Sequence, residues 1–266
     1  MKIGIIGLGA VGTANKNGFE HLGHEVLVHD KMLNTSIQDV FDAEIVFICV
    51  PTPRANDGSC DTSIIENIIR ELNLHNYKGI VAIRSTVEPG FTNRTIQYYK
   101  NMNICFVPEF LRERCADDDF INNHNLLAVG TNNVETYRKV TKAHGSLPKN
   151  TEHLTPTEAE ILKYYNNLYA ALRITFANVM FELCEKYNTD YTAIKDAYIK
   201  TGKANDMYLD VNNNLRGFGG MCLPKDVSAI NHLFEKLNLD YSLIKSIQED
   251  NDKFETTVFD GMRNDV

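Results

Sequence analysis

The sequence predicts an α/β protein: a doubly wound, mainly parallel sheet followed by a mostly helical part. Three observations carry this. Short runs dense in Ile and Val recur through the first half, as in strands buried on both faces. Helix-patterned stretches separate them, which is the alternation of right-handed parallel crossovers. Near residue 150 the texture changes, and a long stretch without internal Gly or Pro then runs to about Lys186.

The strands are expected at Lys2–Ile6, Glu25–His29, Ile45–Val50, Gly79–Ile83, Ile104–Val107 and Leu126–Val129. Helices are expected near Val11–Leu22, Ser63–Leu72, Thr92–Tyr99 and Val134–His144. Gly145 to Thr151 reads as a linker. Thr155-Pro156-Thr157-Glu158 then has the pattern of a helix start, with a Thr cap, Pro in the first turn and an acid after it. More helix follows near Thr192–Thr201, Val227–Leu237 and Ser242–Phe254, interrupted by a Gly-rich loop at Arg216–Pro224. The expected domains are 1–150, carrying the sheet, and 151–266, mostly helical.

Composition narrows the function. A chain of 266 residues, 43% apolar and 23% charged, has enough apolar side chains for one large core or two modest ones. A net charge of −8 argues against a general nucleic-acid binder. No run approaches the ~18 apolar residues of a membrane span, and the first residues read as a strand rather than a signal peptide. A cytoplasmic protein is the expectation. The six cysteines form no CxxC pair and the eight histidines no HExxH motif, so no metal site is expected. Five of the cysteines read as packing thiols.

Gly7-Leu8-Gly9-Ala10-Val11-Gly12 follows a strand and opens a helix. Gly7 permits the tight turn, Gly9 lets backbone approach a pyrophosphate, and Gly12 lets helix and strand pack closely. The helix N-terminus offers N–H groups to phosphates. Asp30 ends the second strand, 23 residues after Gly7, where a carboxylate accepts from a ribose diol and repels a 2′-phosphate. NAD is therefore favoured over NADP as the cofactor of a Rossmann-type domain. Val50–Pro53 and Arg84–Gly90 fall at strand carboxyl ends, where ligands bind in open α/β sheets; equally, they read as Pro-containing turns.

The segment Gly217-Phe218-Gly219-Gly220-Met221-Cys222-Leu223-Pro224-Lys225-Asp226 is the most unusual in the chain. Its glycines let backbone pass close to a bulky group. Cys222 then precedes Pro and a Lys-Asp pair at a helix start, a setting that favours a thiolate nucleophile; otherwise it is a buried thiol in a turn. Lys163 and Asn167 are four residues apart and share a helix face, either as a solvated pair or as an ammonium and amide holding charge on a reacting oxygen. Glu109 and Glu113 flank Arg112 after the fifth strand, as a general base nearby or as a surface ion-pair cluster.

Together these motifs resemble the UDP-glucose/GDP-mannose 6-dehydrogenase family. The matching stretches are GLGAVG at 7–12, CVPTP at 49–53, STVEPG at 85–90, PEFLRE at 108–113, EAEILKYYNNLYA at 158–170 and GFGGMCLPKD at 217–226. The resemblance implies a four-electron oxidation of a nucleotide-sugar C6 alcohol to the uronic acid with two NAD, through a thiohemiacetal and thioester on Cys222. UDP-glucose is the foremost substrate it implies, with GDP-mannose or another sugar as the alternative. It further implies that Lys163 and Asp226 support the oxyanion and an ordered water, that Asn167 and Thr86 sit at the reacting centre, and that Glu109 is the base for hydrolysis. Glu109, Phe110, Leu111, Arg112, Glu113, Lys163, Val211, Asn212, Asn213, Asn214, Leu215 and Gly219 would line the sugar site. Val11, Asp30, Thr52, Thr86, Glu113 and Lys225, beside Gly7, Gly9 and Gly12, would contact NAD.

The resemblance also implies a homodimer through the helical domain. Family members run on into a C-terminal nucleotide-binding domain, so a separate chain supplying it is a further expected partner. The family's arginine before the Gly-rich loop has no counterpart near 206–207, where Arg216 is the nearest arginine. Two other functions stay open: a two-electron dehydrogenase of the β-hydroxyacid type, which needs no cysteine, and a non-catalytic NAD or nucleotide-sugar binding protein.

Overall fold

The computed structural model describes residues 1–254; the last residues of the expected 151–266 domain, 255–266, lie outside the described residues. The chain divides into two compact units. One comprises Met1–Pro53 and Cys60–Lys163; the other comprises Arg54–Ser59 with the chain from Tyr164 onward.

The first unit is a seven-stranded sheet in the order β2-β1-β3-β4-β5-β6-β7. Its strands are β1 (Lys2–Ile6), β2 (Glu25–His29), β3 (Ile45–Ile48), β4 (Ile80–Ile83), β5 (Asn103–Phe106), β6 (Leu127–Gly130) and β7 (Thr151–Leu154). All neighbours are parallel except β5 and β6. The helices are α1 (Ala10–His21), α2 (Ser63–Leu74), α3 (Phe91–Tyr98), α4 (Ala116–Ile121) and α5 (Val134–His144).

Because side chains alternate across a strand, two cores form. One face collects Ile3, Ile5, Phe47, Cys49, Ala82, Cys105, Val107 and Phe120. The other collects Ile6, Val46, Ile48, Val81, Ile83, Ile104 and Phe106. This doubly wound sheet is the predicted fold class. The strand order reverses between β1 and β3, and the crevice outside their carboxyl ends is where such sheets bind ligands.

Two elements differ from the sequence reading. Residues 151–154, where the sequence reading has the end of the linker at Thr151 and no element after it, form β7 and pair with β6 in parallel register. The strand is Thr-Glu-His-Leu with three exposed residues, so it carries no apolar signal. Residues 116–121, left unassigned, form α4, which covers one sheet face with Phe120 while Asp117 and Asp118 face solvent.

The long helix α6 (Pro156–Lys186) opens as predicted. Thr155 Oγ and backbone N–H both donate to Glu158 Oε2, at 2.7 and 2.8 Å, a capping box that satisfies orphan donors. Glu160 on its first turns is fully buried and accepts from the Gly90 and Thr92 N–H groups at 2.5 and 2.7 Å, which caps α3. The boundary between the units falls within α6.

The second unit contains the rest of α6, α7 (Tyr191–Ile199), α8 (Leu223–Lys236) and α9 (Leu243–Asn251). Ala177, Phe181, Cys184, Tyr191, Leu209 and Val211 form a small core there. Residues 54–59 belong to this unit: Ser228 Oγ on α8 donates to the Gly58 carbonyl at 3.2 Å, and Gly58 has φ +92°, which glycine adopts at no steric cost. Among the described residues, no helix is long and apolar enough to cross a membrane.

Candidate active site

The Gly-rich loop adopts the geometry its spacing predicts. Gly7 has φ +91°, and a Cβ there would lie 2.8 Å from the Cys49 carbonyl oxygen. A Cβ on Gly12 would lie 1.8 Å from the Gly7 carbonyl oxygen, so only glycine lets α1 start this close to β1. Gly9 caps α1 with φ −69°, which any residue adopts. Val11, on the first turn of α1, is half-buried.

Asp30 follows β2 directly. Its Oδ2 accepts from the Leu8 N–H at 2.6 Å and its Oδ1 from the Met32 N–H at 2.8 Å. Partial burial pushes its carboxyl up, but those two hydrogen bonds and the neighbouring His29 and Lys31 outweigh it and leave it below the usual carboxylate range. An ionised carboxylate, a Gly-lined turn and the N-terminus of α1 fit a dinucleotide: the turn would take the pyrophosphate and Asp30 the ribose diol. Sequence reasoning assigned Asp30 to the ribose alone; it also holds the Gly-rich loop through Leu8.

The β3 and β4 ends are tied together by Ser85, whose Oγ lies 3.2 Å from the Ile48 carbonyl oxygen and 2.7 Å from that of Val50. Thr52 is buried beside this junction and Thr86 is half-buried, its carbonyl accepting from the Cys60 thiol at 3.3 Å.

After β5, Glu109 and Lys163 form a buried pair, 7% and 5% exposed. Lys163 Nζ donates to the Glu109 carbonyl at 2.7 Å and lies 3.3 Å from Glu109 Oε1, with the Phe110 ring 6.0 Å away. Glu109 Oε2 accepts from the Leu111 N–H at 2.8 Å. A carboxylate held this way has one oxygen pinned and the other beside an ammonium, which suits a general base. Arg112 grips Asp119 with its N–H, Nε and Nη2, at 2.8, 3.0 and 2.6 Å. Neither Glu109 nor Glu113 is the partner in that fork, and Glu113 is exposed in a short 3-10 turn.

In the second unit, Cys222 is the N-cap residue of α8 and is exposed, whereas Cys49, Cys60, Cys105 and Cys184 are buried and Cys115 is half-buried. Burial pushes the Cys49 and Cys105 thiols up to about 12, which leaves them inert. One turn on from Cys222, the Asp226 N–H donates to the Cys222 carbonyl at 2.9 Å. Asp226 is 1% exposed; its Oδ2 accepts from Asn167 Nδ2 at 2.6 Å and its Oδ1 lies 3.2 Å from Lys225 Nζ. Asn167 Oδ1 accepts in turn from Asn166.

The expected sugar-lining segment is a tight turn. Asn212 and Leu215 exchange backbone hydrogen bonds, and Asn212 Oδ1 accepts from the Asn214 N–H at 2.8 Å. Asn212, Asn213 and Asn214 are exposed, Leu215 and Gly219 half-buried, while the Val211 side chain packs into the small core of the second unit. Arg216, the arginine nearest to the position where the family's arginine is lacking, contacts Asn178 and Glu182 and lies over the rings of Phe181 and Phe254 at 4.9 and 5.0 Å. Among the described residues no group of three or more His, Cys, Asp or Glu is placed to hold a metal.

Fold and loop geometry define the class: a dinucleotide-binding α/β domain joined to a helical unit that carries an exposed, helix-capping cysteine. Residues 31–147 match the NAD binding domain of the UDP-glucose/GDP-mannose dehydrogenase family, and residues 157–253 match its central domain. The UDP-glucose 6-dehydrogenase of Rickettsia prowazekii is 30% identical over 94% of this chain and 67% of that protein. That of Rickettsia bellii is 31% identical over 85% of this chain and 54% of the relative. A UDP-glucose dehydrogenase structure from Pyrobaculum islandicum superposes with TM-score 0.86 at 25% identity, over 95% of this chain and 68% of that one. The chain belongs to the UDP-glucose/GDP-mannose dehydrogenase family, and spans about half to two-thirds of these curated relatives. A 3-hydroxyisobutyrate dehydrogenase from Mycobacterium tuberculosis shares the fold, with TM-score 0.77 at 15% identity over 95% of this chain.

Proposed function

We propose that this protein catalyses the NAD-dependent four-electron oxidation of a nucleotide-sugar C6 alcohol to the uronic acid, with UDP-glucose as substrate and Cys222 as covalent nucleophile. The observation that carries this reading is the Cys222–Asp226–Asn167 arrangement: an exposed thiol capping a helix, with a buried, hydrogen-bonded carboxylate one turn behind it.

Each residue then has a task. The N-terminus of α8 presents its positive dipole end to negative charge at Cys222. When bound, NAD accepts a hydride in each of two oxidations. Between them the Cys222 sulfur adds to the aldehyde carbon, giving a thiohemiacetal. Loss of the second hydride leaves a thioester on Cys222. Water then attacks the acyl carbon, the C–S bond breaks, and uronate and the thiol are released. Lys163 and Asn167 stabilise developing oxyanions. Glu109 takes the proton of the attacking water. Asp226 holds Asn167 in position and supports an ordered water. Thr52, Thr86, Glu113 and Lys225 contact the cofactor, and the turn at 211–215 with Gly219, Phe110, Leu111 and Arg112 contacts the sugar.

The protein works as a cytoplasmic homodimer in this reading. Exposed Tyr165, Tyr169, Phe176 and Leu183 along α6 support a protein partner for the helical unit.

The test uses the purified chain with NAD and a panel containing UDP-glucose and GDP-mannose. Two NADH per acid formed, with UDP-glucose preferred, is the expected outcome. One NADH per turnover assigns the two-electron chemistry instead, and calorimetric binding without NADH assigns a binding protein.

A further inference from the structure

The loop leading to Cys222 has few side chains with which to hold itself. Three of the five residues between Arg216 and Cys222 are glycine, and Gly217 and Gly220 stand at φ +55° and +74°. Met221 is exposed. Phe218 alone of the five is buried, at 4% exposed, so its backbone N–H and C=O have lost water and need partners.

One side chain supplies both. The Phe218 N–H donates to Asn251 Oδ1 at 2.7 Å, and Asn251 Nδ2 donates to the Phe218 carbonyl at 2.9 Å. A primary amide carries an acceptor and a donor side by side, as a peptide group does, so Asn251 takes the place of a paired strand. Its orientation follows from its partners, because an N–H can only donate and a carbonyl only accept.

Asn251 breaks the pattern of its own helix. Ile244, Ile247 and Asn251 are the buried residues of α9, at the spacing of one helix face. An amide on that stripe is costly unless it is hydrogen-bonded, and an apolar side chain there would leave Phe218 with two unpaired groups. Asn178 on α6, 1% exposed, repeats the arrangement one residue earlier: its Oδ1 accepts from the Gly217 N–H at 3.1 Å and from Arg216 Nε at 2.8 Å. Two helices therefore hold consecutive residues before Cys222, and the Asn167–Asp226 hydrogen bond holds the chain after it.

We infer that Asn251 is a positioning residue for Cys222: its amide fixes the backbone of Phe218 and, through it, the Gly-rich turn that sets where the thiol stands. The nucleophilic role of Cys222 rests on the dehydrogenase reading; the hold on the loop does not.

The test has three arms. In the first, Asn251→Ala and Asn251→Asp are compared with the wild type for uronate formation and for NAD binding by calorimetry. The aspartate keeps an acceptor for the Phe218 N–H and loses the donor to its carbonyl. In both variants kcat is expected to fall at least about tenfold, as for a misplaced reacting group, while NAD affinity stays at the wild-type value. A folded alanine variant with wild-type kcat overturns the inference. In the second, a nitroxide is attached to Cys222 with Cys115, the half-buried thiol, replaced by serine. Its spectrum reads loop motion without substrate, and its lines are expected to narrow when Asn251→Ala is added. Unchanged lines overturn the inference. In the third, hydrogen exchange at the Phe218 N–H is followed by NMR in the wild type. Exchange at least about 100-fold slower than in an unstructured peptide is expected. Exchange at the peptide rate overturns the inference even if neither variant folds. A wild type that forms no uronate from any sugar nucleotide sinks the dehydrogenase reading alone, and the nitroxide and exchange arms still decide the hold on the loop.

Discussion

Asn167 Nδ2 donates to Asp226 Oδ2 at 2.6 Å, and both side chains are almost wholly buried. This joins the middle of α6 to the first turn of α8 and places a fixed amide and carboxylate behind Cys222. Hydrogen bonds to a charged acceptor are the strong ones, and a buried donor left unmade costs its desolvation. Asp226→Ala is expected to lower unfolding free energy by roughly 1–3 kcal/mol, because Asn167 Nδ2 is then buried without its acceptor. Asp226→Asn keeps an acceptor for Asn167 and loses the charge, so it is expected to cost less stability than the alanine. Denaturant midpoints measure both effects; equal midpoints for the alanine variant and wild type would remove the structural role.

The Gly-rich loop gives a sharper test. Gly12→Ala places a methyl 1.8 Å from the Gly7 carbonyl oxygen, so α1 must shift away from β1. Overpacking of this kind costs roughly 1–3 kcal/mol, and NAD affinity is expected to fall at least about tenfold with it. Asp30→Ala removes the acceptor of the Leu8 N–H as well as the ribose contact. Calorimetric titration with NAD checks both, and unchanged affinity in the Gly12 variant would place the cofactor elsewhere.

Much of this was legible in the sequence because it is written in local patterns. Glycine spacing after a strand, an acid at the end of the next strand, and a Thr-x-x-Glu helix start each specify geometry within a few residues. β7 was not legible, since Thr151, Glu152 and His153 are exposed at the sheet edge and carry no alternation. The Arg112–Asp119 fork was hidden for another reason: two nearer carboxylates, Glu109 and Glu113, looked like equal partners. Arg84 stood in a quoted motif, yet it is 3% exposed, and that burial depends on register across three strands, which no single segment encodes. The attachment of 54–59 to the helical unit rests on the Gly58–Ser228 contact, 170 residues apart in sequence.

Buried histidine makes stability depend on pH. Burial first, then the Arg84 charge, pushes His124 down from 6.5 to about 4. Between those values the unfolded chain binds the proton and the folded chain does not, so stability falls as pH falls through that window. The loss attributable to His124 is about 3 kcal/mol at its full extent, and His144 acts with the same sign. Above 6.5 neither group contributes a slope. His124→Phe keeps a ring against Phe120 and is expected to flatten the dependence between pH 6.5 and 4. Urea unfolding at a series of pH values measures it; a wild-type stability that rises on acidification through this window would contradict the assignment.

The central claim is that Cys222, exposed at the start of α8, carries the substrate through its second oxidation. Intact-mass analysis after acid quench of a turnover mixture with NAD and UDP-glucose tests it most directly. The account predicts a uronyl adduct on the chain, mapped to Cys222, and neither adduct nor uronate in Cys222→Ser. Undiminished uronate formation by the Ser variant would contradict it.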